Sequence, residues 1–376
     1  MTIVYIRMVK VIAEYVWIGG NFELHSKTRI LDIDSLTVIE SGTPTFSFEP
    51  VYLDNSTILE LLPSWDYDGS STSQASGHYS EIILKPRAVF TDPFRSIQRG
   101  YLRPIMVLCS TYNPDGSPQK TNNRDAADKI FESGRVHEPW FGMEQEYFFM
   151  NTHGYPLGYD YSKGQGQYYC SVGAQNAFGR KIVEEHLLKC TEAGVKIAGV
   201  NAEVAPGQWE YQIGPCVGIE AGDHLWMARY IMERVGENHG VSISIEPKPL
   251  TGDWNGSGCH TNFSTAKMRA PGGISEINEA IRQLETRHAE HMQVYGENNE
   301  CRLTGKHETA DFNTFSSGVG NRGASVRIGT NTFKNGCGYF EDRRPSSNMD
   351  PYLVTSKIFD TSISHEPVAE AQKMER

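Results

Sequence analysis

Two glutamates stand two residues apart in Phe141-Gly-Met-Glu144-Gln-Glu146-Tyr-Phe-Phe149. In an extended strand that spacing puts both side chains on one face. Neighbouring carboxylates repel unless a cation lies between them. The flanking Phe141, Tyr147, Phe148 and Phe149 mark a buried strand, where an unpaired carboxylate is costly. Metal ligation answers both facts better than a solvent-facing strand edge. Ala202-Glu203-Val-Ala-Pro-Gly-Gln-Trp-Glu210-Tyr repeats the theme, because a turn at Pro206-Gly207 folds Glu203 back toward Glu210. His260 lies in the Gly-rich stretch Trp254–Ser264, and Glu341 in Gly338-Tyr-Phe-Glu-Asp-Arg343, with Arg343 on the same strand face as Glu341. Carboxylate oxygens with one imidazole suit a hard divalent ion, Mg²⁺ or Mn²⁺, over zinc. So many carboxylates exceed the needs of one such ion, which makes two or three ions the expectation. Paired ions bridging phosphate oxygens are equipment for phosphoryl transfer.

Arginines supply the complement. Arg302, Arg322, Arg327, Arg343 and Arg344 fall in the last quarter of the chain. Guanidinium groups make bidentate contacts with carboxylate or phosphate, which fits ATP and an acidic substrate; a surface salt-bridge network is the alternative. Other signals point nowhere by themselves. His288 and His291 are expected on a solvated helix face, Gly164-Gln-Gly166 lacks a dinucleotide or Walker pattern, and Gly69-Ser-Ser-Thr72 reads as a turn-rich loop.

Elements must carry these residues to one place. The chain has 376 residues, enough for a large domain and a smaller one. The first hundred read as β-rich, with a hairpin over Glu14–Ile18 and Phe22–Ile30 around Gly19-Gly20-Asn21 and further strands at Ser80–Pro86 and Ile105–Thr111. The turn formers of Tyr112–Pro118 mark a boundary, giving domains 1–112 and 113–376. Helices are expected over Asn123–Gly134, Ala177–Gly194 and Gly222–Gly236, after Ser275 and from Pro351. Between them lie strand-like runs at Trp140–Met150, Asn201–Ile213, Ser257–Phe263, Ala324–Ile328 and Gly338–Arg343. Without regular βαβ alternation the class is α+β.

The formal net charge is -11, and no basic run offers a nucleic-acid groove. Seven scattered cysteines without a CxxC pair fit reduced cytosolic thiols. No apolar run has membrane-spanning length, the interrupted Met1–Ile18 segment reads as a strand lead-in, and the polar C-terminus carries no targeting tripeptide. A cytoplasmic location is the expectation.

Seven ordered segments resemble the type II, eukaryotic-like glutamine synthetases. They are Trp65-Asp-Tyr-Asp-Gly-Ser-Ser-Thr72, Trp140–Tyr147, Asn201–Pro215, Trp254–Ser264, Arg302-Leu-Thr-Gly-Lys-His-Glu308, Asn321–Arg327 and Gly338–Pro345, and they cover nearly the whole chain. The resemblance implies an N-terminal β-grasp domain and a catalytic domain built on a cupped antiparallel sheet with helices. It also implies a homo-oligomer, a decamer of two stacked pentameric rings with active sites between subunits. The implied reaction joins ammonia to the γ-carboxylate of L-glutamate through a γ-glutamyl phosphate, at the expense of ATP. On the matching residues, Glu146, Glu203 and Glu210 are expected to bind one ion, and Glu144, His260 and Glu341 the ion that touches ATP. Arg322 and Arg327 would hold the transferring phosphate, Arg302 would clamp glutamate with Trp254, Asn255, Gly256 and Arg343 nearby, and Glu144, Glu210, Gln212, Asn262, Phe263, Ser264 and Tyr339 would belong to the nucleotide and metal side. Asp68 of a neighbouring subunit would take a proton from ammonium, and Glu308 would be a flap over the site.

The chain departs from the family pattern at Cys301 and Thr330, where many members have Arg, and at Lys163–Tyr168, which replaces a Pro-rich loop. Three rival readings remain beside the ligase: joining glutamate to another amine, a ring-forming structural relative with a dead site, and a metal-binding module without turnover.

Overall fold

A computed structural model describes residues 3–39, 54–98, 101–166 and 168–364. Met1 and Thr2 of the expected strand lead-in, Gln167 of the Lys163–Tyr168 loop and the polar C-terminal residues lie outside them. The chain divides into two compact units, Met1–Asp125 with Lys189–Val195, and Ala126–Leu188 with Lys196–Arg376.

In the first unit, β1 (Ile3–Ile18) and β2 (Leu24–Ile39) form a long antiparallel hairpin closed around Gly19-Gly20-Asn21. After it come α1 (Asn55–Leu61), β3 (Trp65–Asp68), β4 (Glu81–Thr91) and β5 (Ile105–Tyr112). Helix α1 begins where the Asp54 carboxylate accepts from the Thr57 amide at 2.9 Å. The sheet order is β2-β1-β5-β4-β3, with β1 and β5 parallel and the other pairs antiparallel, a β-grasp arrangement. Its core follows the period of two: Val9, Val11, Ala13, Tyr15 and Trp17 of β1 pack with Ile82, Leu84, Ile105, Val107 and Ile58.

The second unit contains α2 (Arg124–Ser133), β6 (Trp140–Met150), α3 (Arg180–Ala193), β7 (Ile197–Ala202), β8 (Gln208–Val217), α4 (Glu220–His239), β9 (Ser242–Ser244) and β10 (Cys259–Ser264). The chain passes between units after Asp125, the second residue of α2, after Leu188 within α3, and after Val195 beyond it. There follow α5 (Ala266–Arg269), α6 (Ile274–Thr286), α7 (His288–Met292), β11 (Ser317–Val319), β12 (Val326–Ile328), α8 (Thr330–Asn335), β13 (Phe340–Asp342) and α9 (Pro351–Ile363). Its eight-stranded sheet runs β11-β12-β13-β10-β6-β8-β7, with β9 beside β6, and only β11–β12 is parallel among these pairs. The fold class is α+β.

Alternation gives this sheet two unlike faces. One face packs on helices: Phe141 meets Phe263 at 5.1 Å between ring centroids, Phe263 meets Phe340 at 5.6 Å, and Phe359 of α9 stacks on Phe131 of α2 at 5.5 Å. The other face carries the residues between these, Glu144, Glu146, Glu210, Gln212, His260, Asn262, Arg327 and Glu341. Burying each large aromatic contributes about 2–3 kcal/mol, so the apolar face fixes the polar one.

One sequence expectation is corrected. His288 and His291 do not share a solvated face of the fourth helix. That helix, α6, ends at Thr286, and the pair lies on the separate short helix α7. His291 is completely buried, because both of its ring nitrogens have partners on the inner side. All seven cysteines are free, and Cys109, Cys190, Cys216 and Cys259 are buried.

Phe359 ties α9 to both α2 and the sheet, and its ring lies where a Cβ on Gly134 would have to sit. Replacing Phe359 by Ala is expected to cost about 3–5 kcal/mol through the cavity it leaves. A thermal melt should show the midpoint falling by several degrees; an unchanged midpoint would remove Phe359 from the core.

Candidate active site

Strand register assembles the polar face. Glu146 lies directly opposite Glu210 across β6–β8, Glu144 opposite His260 across β6–β10, and Glu341 opposite Arg327 across β12–β13. Glu203 follows β7 at the start of the turn into β8, where its amide donates to the Gln208 carbonyl at 2.9 Å. Gly207 takes a left-handed φ of 69° there, against the backbone of Leu157, where a side chain would clash.

Two groups of three result, Glu144–His260–Glu341 and Glu146–Glu203–Glu210, each with ligand-type atoms within 4.8 Å of one another. In the first, Nδ1 of His260 faces Glu144 at 3.5 Å and Glu341 at 3.4 Å. Asn262 donates to Glu144 at 2.9 Å, and Glu341 accepts from Arg343 Nη1 at 2.8 Å and from Arg327 Nε. In the second group, Glu146 accepts from the Gly258 amide at 2.7 Å, Glu203 from Asn201 at 3.1 Å and the Val204 amide at 3.2 Å, and Glu210 from Gln212. These bonds orient each carboxylate and leave further oxygen lone pairs for a ligand.

The electrostatics follow from burial and crowding. Burial, then repulsion from Glu146, pushes Glu203 up to about 8, and burial with repulsion from Glu144, Glu146 and Glu203 pushes Glu210 up to about 9. Glu146 is raised for the same first reason, opposed by Arg302. Burial, helped by Arg343, pushes His260 well below its ordinary value, so its imidazole is neutral and able to ligate. All six residues fit hard divalent ions: five carboxylates and one imidazole, short of cationic neighbours on the Glu203–Glu210 side.

Arg302 is buried at the floor of the cleft. Its Nη2 lies 3.1 Å from His260 Nε2, and it donates to the Arg343 and Arg344 carbonyls at 3.0 and 3.3 Å. Glycines make room for it. A Cβ on Gly258 would come within 2.4 Å of Arg302 Nη2, and one on Gly256 within 2.9 Å of Arg302 Cγ. Arg343 donates to three partners at once, Glu341, the Arg322 carbonyl at 3.0 Å and the Glu308 carbonyl at 3.2 Å.

A cavity of about 550 Å³ contains both groups except Glu341 in its lining, together with Asn255, Gly256, Gln212, Arg302, Arg322, Arg327, Arg343 and Glu308. A second, more apolar cavity of about 430 Å³ shares Glu144 and Gln212 with it and is lined by Phe263, Asn262, Ser264 and Tyr339. The Phe263 ring itself is buried toward Phe141 and Phe340. Glu308 is exposed at the cavity, and it and His307 both hold left-handed φ values, 58° and 53°, a strained pair for residues with side chains. His307 meets Asp253 at 2.9 Å.

Besides Glu341, the expected site residues Trp254 and Asp68 are not in the cavity linings. Trp254 packs beside Tyr159 at 5.4 Å. Asp68 belongs to the first unit, where it caps the turn Gly69–Thr72 and accepts from Ser70 N, Ser70 Oγ and Ser71 Oγ at 3.0, 2.7 and 3.0 Å. Those bonds, chiefly from Ser70, hold its carboxyl below the usual range. Conversely, sequence reasoning passed over Asn201 and Arg269. Asn201 pairs with Glu210 in register and binds both Glu203 and Gln212, and its two-residue spacing from Glu203 was the available signal. Arg269 lies 4.0 Å over the Trp140 ring at the second cavity, and nothing in its local sequence marks it.

Comparison with known proteins matches residues 117–286 to the glutamine synthetase catalytic domain. The chain is 54% identical over 366 residues to a cytosolic glutamine synthetase isozyme of Pinus sylvestris, covering 95% of each chain. It is 50% identical over 372 residues to a chloroplastic glutamine synthetase of Brassica napus, covering 97% of this chain and 81% of that one. A solved structure titled "Apo GmaS without ligand" superposes with a TM-score of 0.68 at 18% identity, over 94% of this chain and 77% of that one, which speaks for the fold. With that identity across nearly its whole length, and the acid-rich sheet face in place, the chain belongs to the glutamine synthetase family, in its eukaryotic-like type II branch.

Proposed function

We propose that Glu144, His260 and Glu341 hold one divalent ion and that Glu146, Glu203 and Glu210 hold another, on either side of the reacting groups. The observation that carries this is the pair of three-ligand groups built on adjacent strands around one cleft. Family membership makes the chain a glutamate–ammonia ligase that uses ATP and a divalent metal. Glutamate's γ-carboxylate takes a phosphoryl group from ATP, and ammonia then displaces phosphate to give glutamine. The donor set favours Mg²⁺ or Mn²⁺, two to three per site, which when bound would neutralise charge on the transferring phosphoryl group.

The chain's own groups divide the remaining work. Arg322 and Arg327 would hold the moving phosphate as planar, permanently charged donors. Arg302, kept deep by Gly256 and Gly258, would clamp the glutamate carboxylate, with Asn255 and Arg343 beside it in the cavity and Trp254 next to Asn255 in the chain. The second cavity, with Gln212, Asn262, Phe263, Ser264 and Tyr339, would seat the nucleotide, and its shared wall with the acidic cavity supports that. Glu308 would close over the acyl phosphate and keep water away. Asp68, supplied by a neighbouring subunit, would draw in ammonium and take its proton as the bond forms. Because Ser70 and Ser71 keep it ionised, its charge serves attraction even before it serves as a base. The reading further includes domains 1–112 and 113–376, a homodecamer of two stacked pentamers, and a cytoplasmic location. Cytosolic isozymes among the relatives support the last, although a chloroplastic one stands beside them; among the described residues no helix is long and apolar enough to cross a membrane.

Phosphate release from ATP should require glutamate and ammonium together and should yield glutamine. Release with glutamate and a different amine would redirect the reading to another ligase, and no release from assembled protein would sink it. Glu341→Ala should lower turnover by at least ~100-fold while assembly is retained; activity near wild type would remove Glu341 from the metal site.

The raised carboxyls also set a pH dependence. At pH near 7 the metal-free cleft still holds protons on Glu203 and Glu210, at about 8 and about 9, which ordinary glutamates near 4.5 have lost in the unfolded chain. The metal-free fold therefore loses stability as pH rises through the interval between those values. A divalent ion needs the carboxylates bare and reverses that loss. Melts at pH about 6.5 and about 8.5 should show a larger Mn²⁺-induced rise in midpoint at the higher pH; equal rises would mean these two carboxylates are not ligands.

A further inference from the structure

The strand that carries Glu341 has only three residues, and its other face is tied down by a buried chain of polar groups. On β13, Glu341 turns to the cleft and Asp342 to the helices. Asp342 is fully buried, and its carboxylate accepts from Arg344 Nη2 at 2.6 Å, Arg344 Nε at 2.9 Å and the hydroxyl of Tyr295 at 2.6 Å. A tyrosine hydroxyl has one hydrogen. Since Tyr295 gives it to Asp342, His291 Nδ1, at 2.7 Å, must donate to the Tyr295 oxygen. His291 Nε2 is then the acceptor for the Thr361 hydroxyl at 2.9 Å. The direction of every bond is forced, from Thr361 on α9 through His291 on α7 to Tyr295 and Asp342. Burial, which pushes His291 down to about 3, keeps the ring neutral as this direction requires. Arg344 extends the chain sideways to His288 Nδ1 at 2.9 Å, and its carbonyl receives Arg302.

We propose that Tyr295 is a positioning residue for the reaction, acting through Asp342 to fix β13 and so to preset Glu341 beside Glu144 and His260. This rests on the metal reading above. The arrangement is selective, because the Glu146–Glu203–Glu210 group hangs from β6, β8 and the β7–β8 turn, whereas the bonded chain ends on β13. General stabilisation would touch both metal groups alike; a positioning role touches one.

The test is Mn²⁺ titration of metal-stripped full-length protein, reading free Mn²⁺ by electron paramagnetic resonance. Wild type should show two classes of site, and Glu341→Gln identifies which class belongs to the Glu144–His260–Glu341 group. Tyr295→Phe should weaken that class by roughly tenfold and leave the other within about twofold. If Tyr295→Phe does not fold, Thr361→Val unhooks the far end of the chain and should weaken the same class by about threefold. Equal weakening of both classes, or no change in either, overturns the proposal. Absence of two Mn²⁺ classes in wild type would instead sink the metal reading on which it stands.

Discussion

Like charges gathered in a cleft set the terms for the rest of this molecule. Glu144, Glu146, Glu203, Glu210 and Glu341 lie within a few side chains of one another, partly or wholly out of water. Burial, and then mutual repulsion, raises the proton affinity of such a group until cations arrive, as at Glu203 and Glu210. The chain answers unevenly. Glu341 is gripped by Arg327 and Arg343, while among the described residues Glu210 accepts only from the amide of Gln212. The cleft is therefore half compensated by protein and half left for an incoming positive charge. The aromatic layer beneath the sheet, with Phe141, Phe263 and Phe359, is what keeps the repelling groups from moving apart.

Much of this was legible because period-two alternation is a strong local signal. Glu144 and Glu146 flanked by aromatics place a polar face and an apolar face on one strand, and Trp140–Met150 is that strand. The Pro206-Gly207 turn likewise announces the return of Glu210 toward Glu203. Helices with clear apolar stripes, such as that holding Ile277, Ile281 and Leu284, follow from spacing alone. Some short elements were not legible: β3, α5 and α8 have too few residues to display a period.

The misread histidines show a second limit. His288 and His291 look like polar residues on a helix, and polarity alone suggests solvent. Their partners are Arg344, Phe312, Tyr295 and Thr361, tens of residues away in most cases, so only the folded chain reveals that the polar rings are satisfied internally. Asn201 was missed for a related reason. A neutral amide carries no charge to flag it, yet in place it steadies both Glu203 and Gln212. Buried polar residues acquire meaning from partners, and partners are what a linear reading lacks.

Alternation also constrains how this gene can change length. In β6 the odd positions Phe141, Met143 and Gln145 face away from the cleft and the even positions Glu144 and Glu146 face it. Inserting or deleting one residue between them would invert the parity of everything downstream in the strand, sending a carboxylate into the aromatic layer and an apolar ring into the cleft. Strands β8 and β10 carry the same parity on either side. Length variation in descendants of this sequence should therefore collect in segments such as 151–179, which joins β6 to α3 without a face to preserve, while the strands change only by substitution.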